Sequence, residues 1–231
     1  MDVTNPQHPA AMIRYAVYFA PPPGPLAAAA ARWLGRDAET GARLEQPHPA
    51  LAGLTRQAAR YGFHATLRAP FRPHPGLAEA DLVEALDALA AALTPVTLAG
   101  LRLASLDGFL ALVPEGDETR LNALAATVVE RFQPFAAPLT EAEIARRNPA
   151  ALTPQQRAYL DRWGYPHVFD AFRFHMTLTD RLSTADAAIL GALAQAMVAD
   201  RARKPFPVDA LVLFAEGADG LFHHRHRASL R

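Results

Sequence analysis

Phe63-His64-Ala65-Thr66-Leu67 and Phe174-His175-Met176-Thr177-Leu178 are two copies of one five-residue pattern, set 111 residues apart (64 to 175). Two further matches hold nearly the same register. Pro95-Val96 pairs with Pro207-Val208, and Asp107-Gly108-Phe109-Leu110 pairs with Asp219-Gly220-Leu221-Phe222, each 112 residues apart (95 to 207, 107 to 219). Three landmarks at one offset point to a duplicated half-chain unit, the kind of self-similarity that decides an architecture before individual elements are read.

Working outward, apolar periodicity and Pro/Gly punctuation give strands over 14–20, 62–69, 96–103 and 109–113, with helices over 26–34, 78–93 and 118–132. The second half reads as a strand over 172–179, a helix over 185–201, and strands over 208–214 and 221–227. This order predicts an α+β fold of two similar lobes, about 13–106 and 107–231. Each lobe has an antiparallel-rich sheet with helices on its outer face, and a cleft lies between the two. An Arg-rich polar segment at about 140–164 reads as an insertion, either a lid over a small substrate or a solvated helical pair. Residues 1–12 read as a flexible tail without a signal-peptide pattern, and either Met1 or Met12 serves as the start.

Side chains alternate across a strand, so His64, Thr66 and Arg68 share one face while Phe63, Ala65 and Leu67 share the other. The same parity sends Phe174, Met176 and Leu178 inward and leaves Arg173, His175, Thr177 and Thr179 opposite. A single His-x-Thr is weak, because a lone strand histidine is more often structural. Two copies in equivalent positions, each between Phe and Leu, form a specific signal.

Composition narrows the chemistry. The 231 residues are 51% hydrophobic and 20% charged, with 23 basic and 23 acidic side chains and no cysteine. That excludes disorder, a disulfide framework, a thiolate nucleophile and a Cys-based zinc site. No apolar stretch reaches the roughly 18 residues of a membrane span, so no membrane partner is expected. Zero net charge argues against a long nucleic acid, which normally draws a basic surplus, and leaves a small anionic substrate open. A cytoplasmic monomer is the expectation.

The duplicated Phe-His-x-Thr-Leu strands resemble the two-histidine phosphoesterase superfamily. Its hallmark is two His-x-Ser/Thr motifs in pseudo-symmetric lobes facing a shared cleft. Arg14-Tyr15-Ala16-Val17-Tyr18-Phe19, Gly35-Arg36-Asp37, the run from Tyr61 to Phe71 and Asp170-Ala171-Phe172-Arg173-Phe174-His175 are similar to its bacterial phosphonate-metabolism branch, encoded beside carbon–phosphorus lyase genes. The resemblance implies a phosphodiesterase that opens a cyclic phosphodiester on a small ribose- or nucleotide-like substrate. His64 and His175 would be the acid/base pair, and Thr66 and Thr177 would hold the phosphate. Two imidazoles suit these roles because their ordinary pKa of about 6.5 allows one neutral and one protonated ring near neutrality. The scheme requires no metal and no other cofactor. Which histidine is base and which is acid stays open, since pseudo-symmetry permits either substrate orientation. A non-catalytic nucleotide- or phosphate-binding protein and an enzyme acting on RNA-end 2′,3′-cyclic phosphates are the alternatives.

Further candidates surround these four. Arg68 and Arg173 fall on the histidine face by parity, as phosphate contacts or as surface ion pairs. Tyr15 and Tyr18, three apart on one strand, face opposite sides, so one of them is a candidate for the cleft. Tyr61, just before the first motif, either stacks on a ligand or packs at the cleft's lip. The run His223-His224-Arg225-His226-Arg227 invites a metal reading, but alternation splits its histidines between two faces, which favours a structural role.

Overall fold

The computed structural model of the protein describes residues 14–231; the N-terminal tail and both candidate starts lie outside them. The strands are β1 (Tyr15–Phe19), β2 (Ala65–Phe71), β3 (Val96–Leu98), β4 (Gly100–Leu106), β5 (Phe109–Glu115), β6 (Met176–Thr177), β7 (Phe206–Val208), β8 (Ala210–Glu216) and β9 (Phe222–Ser229). The α-helices are α1 (Pro25–Leu34), α2 (Leu51–Leu54), α3 (Arg56–Tyr61), α4 (Glu79–Ala91), α5 (Thr119–Phe132), α6 (Glu141–Ala145), α7 (Pro154–Trp163) and α8 (Thr184–Met197). The fold is α+β, as expected.

Seven strands form one antiparallel sheet in the order β4-β5-β6-β2-β1-β8-β9, and β3 pairs with β7 beside it. The motif strands β2 and β6 meet at its middle through Ala65 and Met176. The two halves therefore share a sheet and also exchange strands. β4, from the first half of the chain, pairs with β5, while β8, from the second half, pairs with β1. Neither half completes its sheet from its own sequence.

One face of the sheet carries the core. Phe63, Ala65, Leu67, Phe174, Met176 and Leu178 join Phe19 there, under Trp33 of α1, Leu82 and Leu86 of α4, Leu121 and Val128 of α5, and Leu190 of α8. The four-residue spacing of Leu82 and Leu86 is what lets α4 present a stripe to this face. Trp33 also donates its indole N–H to the Leu178 carbonyl at 2.8 Å, tying α1 to the strand end after the second motif. Each fully buried ring such as Phe19 or Phe174 contributes about 2–3 kcal/mol of apolar burial. On the opposite face Ala16, Tyr18, Val212, Phe214 and Phe222 form a smaller cluster joined by Tyr61, and Tyr18 and Tyr61 of this cluster line the cleft.

The second motif strand is shorter than expected, two residues instead of 172–179. Past Thr177 the ladder turns irregular: the N–H groups of Leu178 and Thr179 both reach the Leu110 carbonyl, and the Thr179 hydroxyl accepts from Leu110 N–H at 2.9 Å. Thr179, placed on the histidine face by parity, is instead buried as a clamp on β5. The 140–164 segment contains α6 and α7, each begun by a threonine cap, Thr140 and Thr153. No described helix is long and apolar enough to cross a membrane.

Candidate functional site

The antiparallel register centred on Ala65 and Met176 puts His64 across from Thr177 and Thr66 across from His175. Directly opposite residues on one face of a sheet are neighbours, so the four polar side chains form a compact quartet, His–Thr over Thr–His. The core face needs Ala65, Leu67, Met176 and Leu178 inward, and that requirement fixes the quartet outward; a one-residue slip would bury all four polar groups.

Both imidazoles are held in the same way. His64 Nδ1 lies 2.9 Å from the Gly62 carbonyl, and His175 Nδ1 lies 2.8 Å from the Arg173 carbonyl. A carbonyl only accepts, so each Nδ1 carries the hydrogen and each neutral ring keeps its Nε2 lone pair. His64 Nε2 is 3.2 Å from the Thr66 hydroxyl. Gly62 is needed for this geometry: its φ is 76°, and a Cβ there would sit 2.5 Å from the Ala38 methyl. The glycine ends α3, turns the chain, and presents the carbonyl that orients His64.

Burial lowers the His64 pKa to about 4, with the Gly62 carbonyl acting in the opposite sense. Burial also lowers the His175 pKa, and the Arg173 guanidinium adds to that effect. Both shifts favour the neutral imidazole, because a low-dielectric surrounding disfavours the cation, so the division into one neutral and one protonated ring does not follow from the protein's own groups.

Two adjoining cavities open on the quartet and share Thr66 and Tyr165 in their walls. One, of about 490 Å³, is lined by His175, Arg173, His167, Phe109, Gln156 and Asp170 among others. The other, of about 430 Å³, is reached from His64 and Thr177 and is lined by Tyr18, Tyr61, Arg14, Arg60, Arg146 and Arg147 among others. Tyr165, Gln156, Arg146 and Arg147 place the inserted segment and the residue after it over the sheet, where they wall the cleft.

The other candidates separate cleanly. Tyr18 stacks on His64 with ring centroids 3.8 Å apart, whereas Tyr15 points into the core and its hydroxyl meets Glu79 at 3.3 Å. Tyr61 lines the cleft and stacks on Phe222 at 5.0 Å. Arg173 is exposed at the cavity on the His175 side. Arg68 is not a phosphate contact. It is 2% exposed, and its guanidinium donates to the Trp163 carbonyl at 2.6 Å and to Gln133 Oε1 at 2.8 Å, anchoring the end of α7. Strand parity had put it on the histidine face, but the register of β2 against β1 shifts between Thr66 and Arg68, which sets Arg68 opposite the core residue Val17 instead. In the β9 run, His223 meets Asp219, His226 meets Asp87 and His224 stacks on Phe214. No group of three metal-ligating side chains converges among the described residues. Tyr165, His167, Arg14 and Arg60 were not singled out by sequence, because nothing local marks residues that reach a site from loops and strand ends.

The family model described as a protein of unknown function, DUF1045, matches residues 66–223. Two curated relatives, both carrying the name ribose 1,5-bisphosphate phosphokinase PhnN, come from Janthinobacterium sp. (strain Marseille) and Laribacter hongkongensis (strain HLHK9). They are 40% identical over 220 residues and 36% identical over 212 residues. Each alignment covers 90% of this chain but 49% of the relative, so the chain spans about half the length of the curated relatives it matches. Among solved structures, TT0787 of Thermus thermophilus is similar at 17% identity and a TM-score of 0.46, and a protein described as a phosphoesterase at 15% and 0.40. Both superpositions cover 94% of this chain and 98% of the other.

Proposed function

The chain belongs to the DUF1045 family, and on that premise we propose that it is a metal-independent phosphodiesterase of the two-histidine superfamily, opening a cyclic phosphodiester on a small ribose phosphate. The observation that carries this reading is the quartet: two histidines with equivalently fixed Nδ1 atoms, each opposite a threonine, across one strand pair. Hydrolysis of a cyclic phosphodiester needs one base, one acid and donors for the non-bridging oxygens, and the quartet has one group for each task.

His64, the more strongly desolvated ring, serves as base. Its Nε2 takes a proton from water as the water oxygen attacks phosphorus. The bond from phosphorus to one ring oxygen breaks, and that oxygen receives the proton of His175 Nε2. The product is a phosphomonoester. Thr66 and Thr177 donate to the non-bridging oxygens. His175 acquires its proton when the anionic ester binds, because a neighbouring negative charge raises an imidazole pKa that burial had lowered. The attacking and leaving oxygens lie in line on opposite sides of phosphorus, which fits one histidine on each of two adjacent strands.

The relatives' name supports a ribose phosphate, since opening a cyclic 1,2-phosphate of ribose 5-phosphate at its 2-oxygen gives ribose 1,5-bisphosphate, the compound in that name. The kinase activity in the same name does not suit this chain. Its one lysine, Lys204, precedes a proline and no glycine-rich lysine loop is present, so the nucleotide cradle of a P-loop kinase has no counterpart here. Phosphorus NMR on ribose cyclic phosphates tests the reading: wild type converts the cyclic ester to a monoester without added metal and in the presence of a chelator, while His64→Ala and His175→Ala lose at least 100-fold in turnover with unchanged melting. Turnover retained by either variant overturns it, and binding without product in the wild type marks a binding protein.

A further inference from the structure

The two arms of the cleft differ in charge. On the His175 side the wall contains Arg173 against Asp107 and Asp170. On the His64 side Arg14, Arg60, Arg146 and Arg147 line the wall with Glu143. Arg14 grips Glu216 with two nitrogens at 2.6 and 2.8 Å, and Arg60 adds a third contact at 2.7 Å. Glu143 is turned to Arg72, which takes both its oxygens at 3.0 and 2.9 Å. Five guanidiniums, Arg72 included, against Glu143 and Glu216 leave this arm with three positive charges in excess, while one against two leaves the other arm one negative.

Arg146 and Arg147 make no ion pair among the described residues. Arg147 is instead steadied over the Tyr165 ring, 5.0 Å from its centroid, by an attraction that leaves the guanidinium's nitrogens available. Arg60 leaves one terminal nitrogen outside its contacts with Glu216 and the Gly220 carbonyl. The cyclic ester at the quartet carries one negative charge, too little to answer this surplus. A phosphomonoester carries about 1.5 to 2 at neutral pH and three acceptor oxygens, which suits guanidinium forks.

We infer that the His64 arm is a second anion site, holding a terminal phosphomonoester of the substrate between Arg60, Arg146 and Arg147. The substrate class is then a phosphorylated sugar cyclic phosphate, with its cyclic ester at the quartet and its monoester in this arm. The identity of the reacting group rests on the proposed function; the anion site does not.

Calorimetric titration of the full chain with ribose 5-phosphate and with ribose separates the two ideas. Ribose 5-phosphate binds and ribose binds at least tenfold more weakly. The double variant Arg146→Gln/Arg147→Gln, on the surface insertion and melting as the wild type does, weakens ribose 5-phosphate at least tenfold, while Arg173→Gln changes it less than threefold. Equal affinity for ribose, undiminished binding by the double variant, or a larger loss with Arg173→Gln overturns the site. Cyclic-ester hydrolysis, followed in parallel, reports on the reaction alone: its absence alongside arginine-dependent binding sinks the phosphodiesterase reading and supports the anion site.

Discussion

The imidazole of His64 lies against the phenol ring of Tyr18, with centroids 3.8 Å apart and planes 27° from parallel. Tyr18 is 1% exposed and itself rests on Phe214 at 5.0 Å. The stack fixes the second plane of a ring whose Nδ1 is already tied to Gly62, and it shields one face of that ring from water.

Tyr18→Leu therefore lets the ring tilt and admits water. The expected outcome is a fall in kcat of about 10- to 100-fold, the cost of misplacing a general base, and a His64 pKa moved up toward its ordinary value. Tyr18→Phe keeps the stack and most of the activity. Proton NMR titration of the histidines, beside kcat, checks both; an unmoved His64 resonance in Tyr18→Leu would refute the role.

The His64 environment also sets a pH window for stability. The unfolded chain takes up the proton near pH 6.5, whereas the folded chain resists until about pH 4. Between those values the unfolded state holds more protons, so stability is lost as pH falls through the window and is unaffected by this group above it. Denaturant midpoints measured from pH 7 to 4 should decline less steeply for His64→Asn than for wild type. Parallel slopes would show that the ring is solvated.

How much of this the sequence disclosed depended on range. The quartet was legible because strand parity is local: Phe63, Ala65 and Leu67 inward leaves His64 and Thr66 outward whatever else the chain does. The pairing of β8 with β1 was not, since partners about 200 residues apart, such as Tyr15 and Ala215, leave no mark on the strand itself, whereas β4 joins β5 by a local hairpin at Asp107-Gly108 that the boundary between the two halves cuts through. Tyr15 and Tyr18 were separable in principle but not in practice. Tyr-Ala-Val-Tyr-Phe is apolar on both faces, and the face that meets the helices is decided by the sheet's neighbours. Arg68 failed for a related reason, because an irregularity in the register of β2 against β1 turns it to the face of Val17, and its guanidinium is then taken up by the Trp163 carbonyl, 95 residues on.

Arg68 and Arg173 should accordingly part company. Burial brings the Arg68 pKa to about 10, so it remains charged at neutral pH, and its cation is answered by the Trp163 carbonyl and Gln133. Arg68→Ala leaves both acceptors without a donor at the foot of the insertion, costing about 1–3 kcal/mol of stability. Arg173→Ala, exposed, changes stability by less than about 0.5 kcal/mol. Urea unfolding distinguishes them, and similar midpoints for the two variants would contradict the assignment.

Thr66→Val and Thr177→Val keep volume and remove a donor. If both hydroxyls serve phosphate oxygens in the transition state, each lowers kcat by about 10- to 100-fold with little change in KM, as expected when one charge-stabilising donor is lost. A rise in KM at constant kcat would assign the threonines to ground-state binding instead.

The Arg72–Glu143 pair is the strap that holds α6 over the cleft. Arg72 also donates to the Pro138 carbonyl at 2.6 Å, so one side chain joins the end of β2 to both the approach and the body of the insertion. The arginine holds the Glu143 pKa down to about 2. The strap's contribution is thus fully present above the ordinary carboxylate pKa and is lost as pH falls from about 4.5 toward 2. Arg72→Ala leaves Glu143 unpaired beside Arg146 and Arg147, where it competes with a bound anion. The expected results are faster proteolytic nicking within 140–164 and weaker binding of ribose 5-phosphate. Arg72→Ala combined with Glu143→Gln removes the competing charge, so it restores affinity while leaving the segment easily nicked. If the double variant binds no better than the single one, the loss comes from displacement of the insertion rather than from the freed carboxylate.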